Sequence, residues 1–266
     1  GANWSKYATG SWTVQSWDPT GRWNNDLSSM QYLYIFMNSN ISNIGFLKNA
    51  NENKLMQRRL TGEAYGLLAT HAYYLLRAHA GFGENGELLG VPILTESQTV
   101  ESNFNLPRAS FQACVEQIYS DLSKAEEMLP WEYEDVTTVP AEFQSLTQDI
   151  GKYNTVMGAK ARQLFNGLIA RAYRVRTAIL AASPAFQTPS NTSTWEEAAM
   201  AAASVIDYNG GIDGLAADGI TYYEATVADA VKDGINPKEI LWRENISSGD
   251  TNQEGRHLPP SLFGSG

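Results

Sequence analysis

The sequence predicts an all-α protein, in which helices pack as hairpins and are separated by long irregular loops. Apolar residues recur at three- and four-residue spacing in five separate segments, as on the buried face of a helix. Small residues, mainly alanine and glycine, run along the two longest of these segments and would allow close helix packing. With 266 residues, 43% of them hydrophobic, the chain is long enough to bury a large core.

Residues 4–25 are predicted to form a loop that leads into the first helix. They are rich in aromatic residues, and Asp18-Pro19-Thr20-Gly21 has the proline and glycine positions of a type I turn. The helical spacing of apolar residues begins at Leu27 and continues to Ile41. We therefore place the start of the first helix at about Leu27.

A second helix is predicted from about Glu52 to Ala80, followed by a long excursion. Gly62 and Gly66 are among its small residues, and they leave room for another helix. Residues 81–105 contain several glycines, a proline and many polar residues, which favour irregular structure. We expect this excursion to connect the second and third helices.

Three further helices are predicted from their end signals. Ser110 can cap a third helix that stops at Pro130, and a fourth runs from about Val156 to Ala182. Thr194-Trp195-Glu196-Glu197 matches a capping box and starts the fifth helix, which Gly210-Gly211 can terminate. No strict repeat fits these helices, so we expect interrupted hairpins of tetratricopeptide-like geometry.

The charge balance and the hydrophobic stretches restrict the function. The formal net charge of −10 argues against nucleic acid, whose affinity comes mainly from Lys and Arg, and favours a neutral or cationic ligand. Nothing is expected to span a bilayer, because His71, Arg77 and His79 interrupt the most hydrophobic stretch, residues 67–82. The single cysteine, Cys114, has apolar neighbours and is predicted to be a core thiol.

No cofactor or metal site is predicted. Residues 81–86 match the dinucleotide pattern G-x-G-x-x-G, but that pattern needs a strand before it and a helix after it. Here a predicted helix precedes and a loop follows. His71 and His79 lie eight residues apart on one helix, about 12 Å along its axis, so one metal ion cannot bind both. We expect packing or surface roles for both histidines.

No catalytic residue is predicted either. A glycosidase needs two carboxyl groups on either side of a sugar, one of them with a raised pKa. The sequence has a run of acidic residues, but proximity in sequence does not establish that arrangement. We therefore interpret the run as a solvated acidic loop. Its members are Glu126, Glu127, Glu132, Glu134 and Asp135.

The aromatic residues near the start of the chain are the candidate ligand-binding group. Trp4, Trp12, Trp17 and Trp23 are four of the seven tryptophans in the chain. Flat rings on a loop can stack against the apolar faces of sugars, while neighbouring polar groups fix the orientation. We therefore name Trp12, Trp17 and Trp23, with Asp18, as candidate ligand-binding residues. The alternative is that these rings fill the gap between the loop and the helices.

Six short segments follow one another in a characteristic order. They are Gly62-Glu63-Ala64-Tyr65, Gly90-Val91-Pro92-Ile93-Leu94, Asn105-Leu106-Pro107-Arg108-Ala109-Ser110, Ala178-Ile179-Leu180-Ala181-Ala182-Ser183-Pro184-Ala185-Phe186, Trp195-Glu196-Glu197-Ala198-Ala199 through Val205-Ile206-Asp207, and Asn236-Pro237-Lys238-Glu239-Ile240-Leu241-Trp242. Together they resemble the signature of the SusD/RagB family over residues 52–242. The last of them is similar to a strand of that family.

The resemblance implies a tetratricopeptide-like scaffold, a glycan-binding surface and a lipid anchor on an N-terminal cysteine. It also implies a SusC-like TonB-dependent transporter as partner and a surface-exposed position on the outer membrane. No cysteine lies near Gly1, and family members are longer than this chain. We therefore expect residues 1–266 to form a single helical domain, the N-terminal half of a longer family member. No binding residue is carried over, because the sugar contacts of the family lie on variable loops.

The resulting hypothesis is a non-catalytic glycan- or nutrient-binding lipoprotein that delivers an oligo- or polysaccharide to the transporter, with membrane contact only through its anchor. Two alternatives remain open. An all-helical glycoside hydrolase would have two facing acids in a cleft. A tetratricopeptide-type peptide-binding scaffold would have regular repeats and a groove lined with Asn and Lys.

Overall fold

The computed structural model describes residues 10, 20–39, 41–215 and 239–242 of the chain. Within these residues it has six α-helices and one two-stranded hairpin, which confirms the all-α fold class. The helices are α1 (Thr20–Asn38), α2 (Ala50–His79), α3 (Phe111–Met128), α4 (Ile150–Met157), α5 (Gly167–Ala182) and α6 (Trp195–Tyr208). The strands are β1 (Gly81–Phe82) and β2 (Leu88–Leu89), which pair antiparallel.

Helix α2 lies at the centre of the core and packs against α1, α3, α4 and α5. Leu55 and Leu76 of α2 are fully buried and share one apolar cluster with Leu122 of α3 and Ile169 of α5. Burying a side chain of this size stabilises the fold by about 1.5–3 kcal/mol. Helix α6 lies at the edge of the bundle, where it packs on α5.

The second predicted helix is confirmed as α2, and the predicted close packing at its glycines is also found. A Cβ atom on Gly62 would lie 2.7 Å from Leu129 Cγ, and one on Gly66 would overlap the Phe165 ring. Only glycine therefore lets these neighbouring side chains approach the α2 backbone so closely.

The predicted end signals of α3 and α6 are confirmed. The Ser110 hydroxyl accepts a hydrogen bond from the Ala113 amide at the start of α3. Thr194 and Glu197 form both bonds of the capping box, of 3.2 and 3.0 Å. Gly210-Gly211 follow α6 with φ of 96° and 71°, in the left-handed region that glycine adopts without strain.

Helix α1 begins at Thr20, so the prediction of a loop up to residue 25 is wrong for its last residues. The early turns are helical because their inner face already packs on α2. Asp26 in these turns is 4% exposed, and its Oδ1 lies 2.9 Å from His71 Nδ1 of α2. Because Asp26 is an acidic residue, it is not counted as part of an apolar face. The hydrophobic pattern therefore begins only at Leu27.

The predicted fourth helix, from Val156 to Ala182, is wrong as a single element, because α4 and α5 are separate. At Gly158 the backbone becomes extended, and a Cβ atom there would collide with the Asn154 carbonyl group. A new helix then starts where the Asn166 side chain accepts a hydrogen bond from the Ile169 amide. Apolar periodicity continues through this break and therefore hides it.

The excursion after α2 contains more regular structure than was expected. Strands β1 and β2 form a hairpin that turns at Gly86, where φ is 79°. Residues 81–86, which match the dinucleotide pattern, lie in this hairpin and open no helix. Beyond β2, the Gly90 amide donates to the Ala109 carbonyl oxygen, a bond of 2.8 Å that closes the excursion at its base.

Cys114 is buried in the core, as predicted. Its thiol donates a hydrogen bond of 3.3 Å to the Val91 carbonyl oxygen, and burial raises the pKa of the thiol. The thiol therefore stays protonated, the form that is unreactive.

Residues 239–242 form no strand, unlike the family segment that they resemble, and residues 236–238 lie outside the described part of the chain. The Trp242 indole donates to the Gln163 carbonyl oxygen at 3.2 Å and packs edge-on against Phe165. Trp242 is thereby fixed beside the start of α5. Over the residues that the structure describes, no helix is both long enough and apolar enough to cross a membrane.

Candidate functional site

A cavity of about 790 Å³ opens between α1 and the segment formed by residues 92–106, and we call it the α1 cavity. This volume is typical of small-molecule sites, which occupy about 300–1,000 Å³. Its apolar lining consists of Trp23, Leu27, Tyr32, Pro92, Leu94, Val100, Phe104 and Leu106. Its polar lining consists of Ser28, Gln31, Gln98, Thr99 and Asn103.

Three side chains on one face of α1 hold the 92–106 segment in place. The Gln31 amide donates to the Gln98 carbonyl oxygen at 2.8 Å and accepts from the Gln98 amide at 2.7 Å. The Tyr34 hydroxyl donates to the Leu94 carbonyl oxygen at 2.6 Å. The third contact joins Asn38 to the Ser97 hydroxyl at 3.2 Å. Positions 31, 34 and 38 lie on one helix face, so residues 94–98 of the segment are held against two turns of α1.

Helix α1 is itself fixed on α2 behind the cavity. Asp26 contacts His71, and Trp23 packs edge-to-face against His79 with ring centroids 5.1 Å apart. Burial lowers the pKa of His79, and the nearby Arg108 guanidinium lowers it further. The imidazole of His79 is therefore neutral where it packs against the Trp23 ring. The contacts of Asp26 and Trp23 with α2 fix this wall of the cavity.

A tight turn at residues 99–102 forms the outer edge of the cavity. The Ser102 amide donates to the Thr99 carbonyl oxygen at 3.0 Å, and the Thr99 amide donates to the Ser102 hydroxyl at 2.9 Å. The turn leaves Val100 91% exposed, and Phe104 beyond it is 72% exposed. Large apolar side chains exposed around a concave surface are typical of a binding site.

The lining can bind by stacking and by neutral hydrogen bonds. Trp23, Tyr32 and Phe104 supply aromatic rings, whose faces suit the apolar faces of sugar rings. Ser28 and Asn103 supply neutral polar groups beside them. Among the lining residues that the structure describes, none carries a charge, so this lining contains no general acid or base.

One of the predicted ligand-binding residues lines the α1 cavity. Trp23 lies in the first turns of α1, in a helix and not in the predicted loop, with its ring partly buried. Trp12, Trp17 and Asp18 lie outside the described residues. They immediately precede α1 in sequence, and their assignment to the ligand remains a prediction.

Sequence reasoning missed Tyr32, Gln98 and Phe104. Tyr32 is 72% exposed and lies outside the apolar spacing of α1, where an aromatic ring has no core to fill. Phe104 lies in a loop of unusual length, a feature that is often functional. Those two signals could have indicated them. Gln98 could not have been found, because its role depends on Gln31, 67 residues away.

The interpretation of residues 126–135 as a solvated acidic loop holds for Glu132, Glu134 and Asp135, which are exposed in the segment after α3, and is wrong for Glu126, which is half-buried on α3. Glu127 is exposed but lies on α3, and the other four carboxylates each accept a hydrogen bond from another element. The partners are Arg171 and Arg174 for Glu126, Tyr208 for Glu132, Arg162 for Glu134 and the Ala159 amide for Asp135. Each of these four carboxylates therefore joins its own segment to another part of the fold through a hydrogen bond or an ion pair.

Packing or surface roles are predicted for His71 and His79, and both histidines pack against α1. Within residues 20–39, 41–215 and 239–242, no group of three His, Cys, Asp or Glu side chains is placed to hold a metal ion.

Comparison with known proteins identifies SusD-like proteins as similar in sequence and in fold. Residues 2–145 match the SusD-like family, described as starch-binding and associating with the outer membrane. A SusD-like protein from Bacteroides fragilis NCTC 9343 superposes with a TM-score of 0.59 and 21% identity over 94% of this chain. A SusD-like carbohydrate binding protein from Bacteroides vulgatus ATCC 8482 superposes with a TM-score of 0.51 and 16% identity over 83% of this chain.

The chain spans only part of these two structures, 38% of the first and 36% of the second. At these levels of identity the superpositions establish the shared fold. A comparison with curated protein sequences gives no significant match.

Proposed function

This chain belongs to the SusD-like family of starch-binding proteins that associate with the outer membrane, and we propose that it binds a glycan or related nutrient in the α1 cavity without transforming it. In this proposal the protein is a surface-exposed lipoprotein that delivers the ligand to a SusC-like TonB-dependent transporter. The observation that carries the binding role is the cavity itself, an uncharged lining with aromatic rings on two sides.

We assign the ligand contacts to Trp23 and to the residues that precede α1 in sequence. Trp23 lines the cavity near the start of the helix, and Trp12, Trp17 and Asp18 come shortly before it. Tyr32 would provide a second ring, two and a half turns further along α1. Stacking on such rings contributes apolar contact, while the neutral polar groups of the lining orient the sugar hydroxyls.

The described lining supports binding over hydrolysis. A glycoside hydrolase places two carboxyl groups about 5–9.5 Å apart across the sugar, and the described lining of the α1 cavity offers none. The peptide-scaffold alternative requires a groove lined with Asn and Lys. Of these, the described lining holds only Asn103, which favours the glycan-binding role.

The lipid anchor and the SusC-like transporter are proposed because the resemblance to the family implies them. Cys114 is buried against Val91, so it is unsuited to carry a lipid. The proposed anchor is the N-terminal cysteine that the family resemblance implies, which is not among residues 1–266. Co-purification from outer membranes with a TonB-dependent barrel encoded beside its gene is the expected result. Recovery in a soluble fraction, without such a barrel, would contradict the delivery role.

Affinity electrophoresis through gels that contain polysaccharides tests binding in the α1 cavity. We expect retention by at least one glycan, and a loss of that retention in both Trp23→Ala and Tyr32→Ala. Trp195→Ala is the matched control, because Trp195 lies on α6 and is 56% exposed. Tyr32 is 72% exposed, so its replacement tests the site without disturbing the core. Retention that is unaffected by both cavity variants would place the glycan elsewhere.

A further inference from the structure

We infer that the α1 cavity selects uncharged saccharides and that Glu101, at its edge, disfavours acidic ones. This inference rests on the proposed glycan-binding function and names the class of glycan. It is based on the distribution of charge around the cavity. The described lining is uncharged, and the carboxylate of Glu101 lies at the edge.

The described part of the lining offers no cation to an acidic sugar. The two arginines beside the cavity-lining elements are engaged elsewhere, and neither lines the cavity. The Arg22 guanidinium lies 4.2 Å from the Tyr74 ring centroid and 3.7 Å from an Asp26 carboxylate oxygen, on the α2 side of α1. Arg108 donates to the carbonyl oxygens of His79, Leu89 and Gly90. A uronate or sulfate in the cavity would thus lose water without gaining a counter-charge, which is unfavourable.

The edge of the cavity carries negative charge. Glu101 lies in the turn at residues 99–102, and its Oε2 accepts a hydrogen bond of 2.7 Å from the Thr99 hydroxyl. Thr99 lines the cavity, so this bond holds the carboxylate at its edge. Within the described part of the chain, Glu101 forms no ion pair. No cation among the described residues therefore compensates its charge, which repels an approaching anion.

Glu101→Gln tests this role without removing the bond to Thr99, since the glutamine oxygen can still accept it. Glu87→Gln is the matched control, because Glu87 is exposed in the β1–β2 hairpin, does not line the cavity and undergoes the same change of charge. The probes are matched polysaccharide pairs in affinity gels: soluble starch with carboxymethyl starch, hydroxyethyl with carboxymethyl cellulose, and methyl-esterified with de-esterified homogalacturonan.

We expect wild-type protein to be retained by the neutral member of a pair and less by its acidic partner. Glu101→Gln should strengthen retention by the acidic partner about threefold at low salt, the effect of two like charges about 6 Å apart in water. Glu87→Gln should leave retention by the acidic partner unchanged. In about 1 M NaCl, where screening acts within about 3 Å, the difference between the variants should disappear.

The outcomes separate this inference from the function on which it rests. Equal or stronger retention of wild type by acidic members, or equal effects of both substitutions, overturns the selection by charge and leaves glycan binding in place. No retention by any of the six polysaccharides, with starch among them, contradicts the proposed function itself.

Discussion

Gln31 and Gln98 are joined by two hydrogen bonds, of 2.8 and 2.7 Å, although 67 residues separate them in sequence. The side-chain amide of Gln31 thereby satisfies both the carbonyl oxygen and the amide of Gln98, as a neighbouring strand would. Because Gln31 and Gln98 both line the α1 cavity, this pairing fixes the distance between its two walls.

Gln31→Ala should loosen the 92–106 segment. Each bond contributes about 0.5–1.5 kcal/mol, so we expect a loss of about 1–3 kcal/mol in unfolding free energy. The Gln98 amide should also exchange with solvent faster, because its acceptor is gone. Asn38→Ala is the control, since it removes one exposed bond of 3.2 Å at the end of the same row. Unchanged exchange at Gln98 would show that the pairing does not hold the segment.

Gly66→Ala should destabilise the core. The added methyl group would overlap the Phe165 ring, which is 3% exposed and cannot move without displacing its neighbours. Overpacking of this kind costs about 1–3 kcal/mol, measured as unfolding free energy in urea. Gly45→Ala is the control, because a Cβ atom there has no neighbour within 4 Å. Equal stability of the two variants would disprove the close packing.

The fold could be predicted from sequence where a local signal marks an element. The Ser110 cap and the Thr194 capping box each depend on neighbours in sequence, and each is confirmed. Where the deciding contact is distant, prediction failed. The start of α1 depends on Asp26 meeting α2 across 45 residues.

The residues of the candidate site could likewise be predicted only where the signal is local in sequence. The early concentration of tryptophans indicated Trp23, which lines the α1 cavity. Phe104 and Tyr32 come together only through the tertiary contact of α1 with the 92–106 segment. No spacing rule connects residues that far apart, so the second aromatic wall could not be derived from the sequence.

Acidification should weaken the contact between Trp23 and His79. Burial lowers the pKa of His79 below its ordinary value of 6.5, so the folded state favours the neutral ring. Stability from this preference is fully present above that ordinary value and is lost as the pH falls from it through the lower pKa of the folded protein, because the unfolded chain then binds the proton more readily. A proton NMR titration should give His79 a pKa below 6.5. A value at or above it would contradict the packing described for this ring.

Glu126→Gln should weaken the junction of α3 with α5. The Glu126 carboxylate, 15% exposed, accepts from Arg171 at 3.1 Å and from Arg174 at 3.0 Å. The glutamine could still accept one hydrogen bond, but both partly buried guanidinium groups would lose their counter-charge. Hydrogen bonds to charged groups contribute about 1.5–3 kcal/mol each, and partial exposure reduces this, so we expect a loss of about 1–2 kcal/mol in unfolding free energy.

The neighbouring Glu127→Gln variant is the control for Glu126→Gln, because it makes the same change of charge at an exposed position of the same helix. It should leave the unfolding free energy within about 0.5 kcal/mol of wild type. Urea titration of the three proteins at low salt and in about 1 M NaCl measures the difference. Glu126→Gln should remain the less stable variant in high salt, since a partly buried pair is screened less than an exposed one. Equal stability of the two variants at low salt would mean that the two arginines hold α3 on α5 through their apolar stems, and not through the carboxylate.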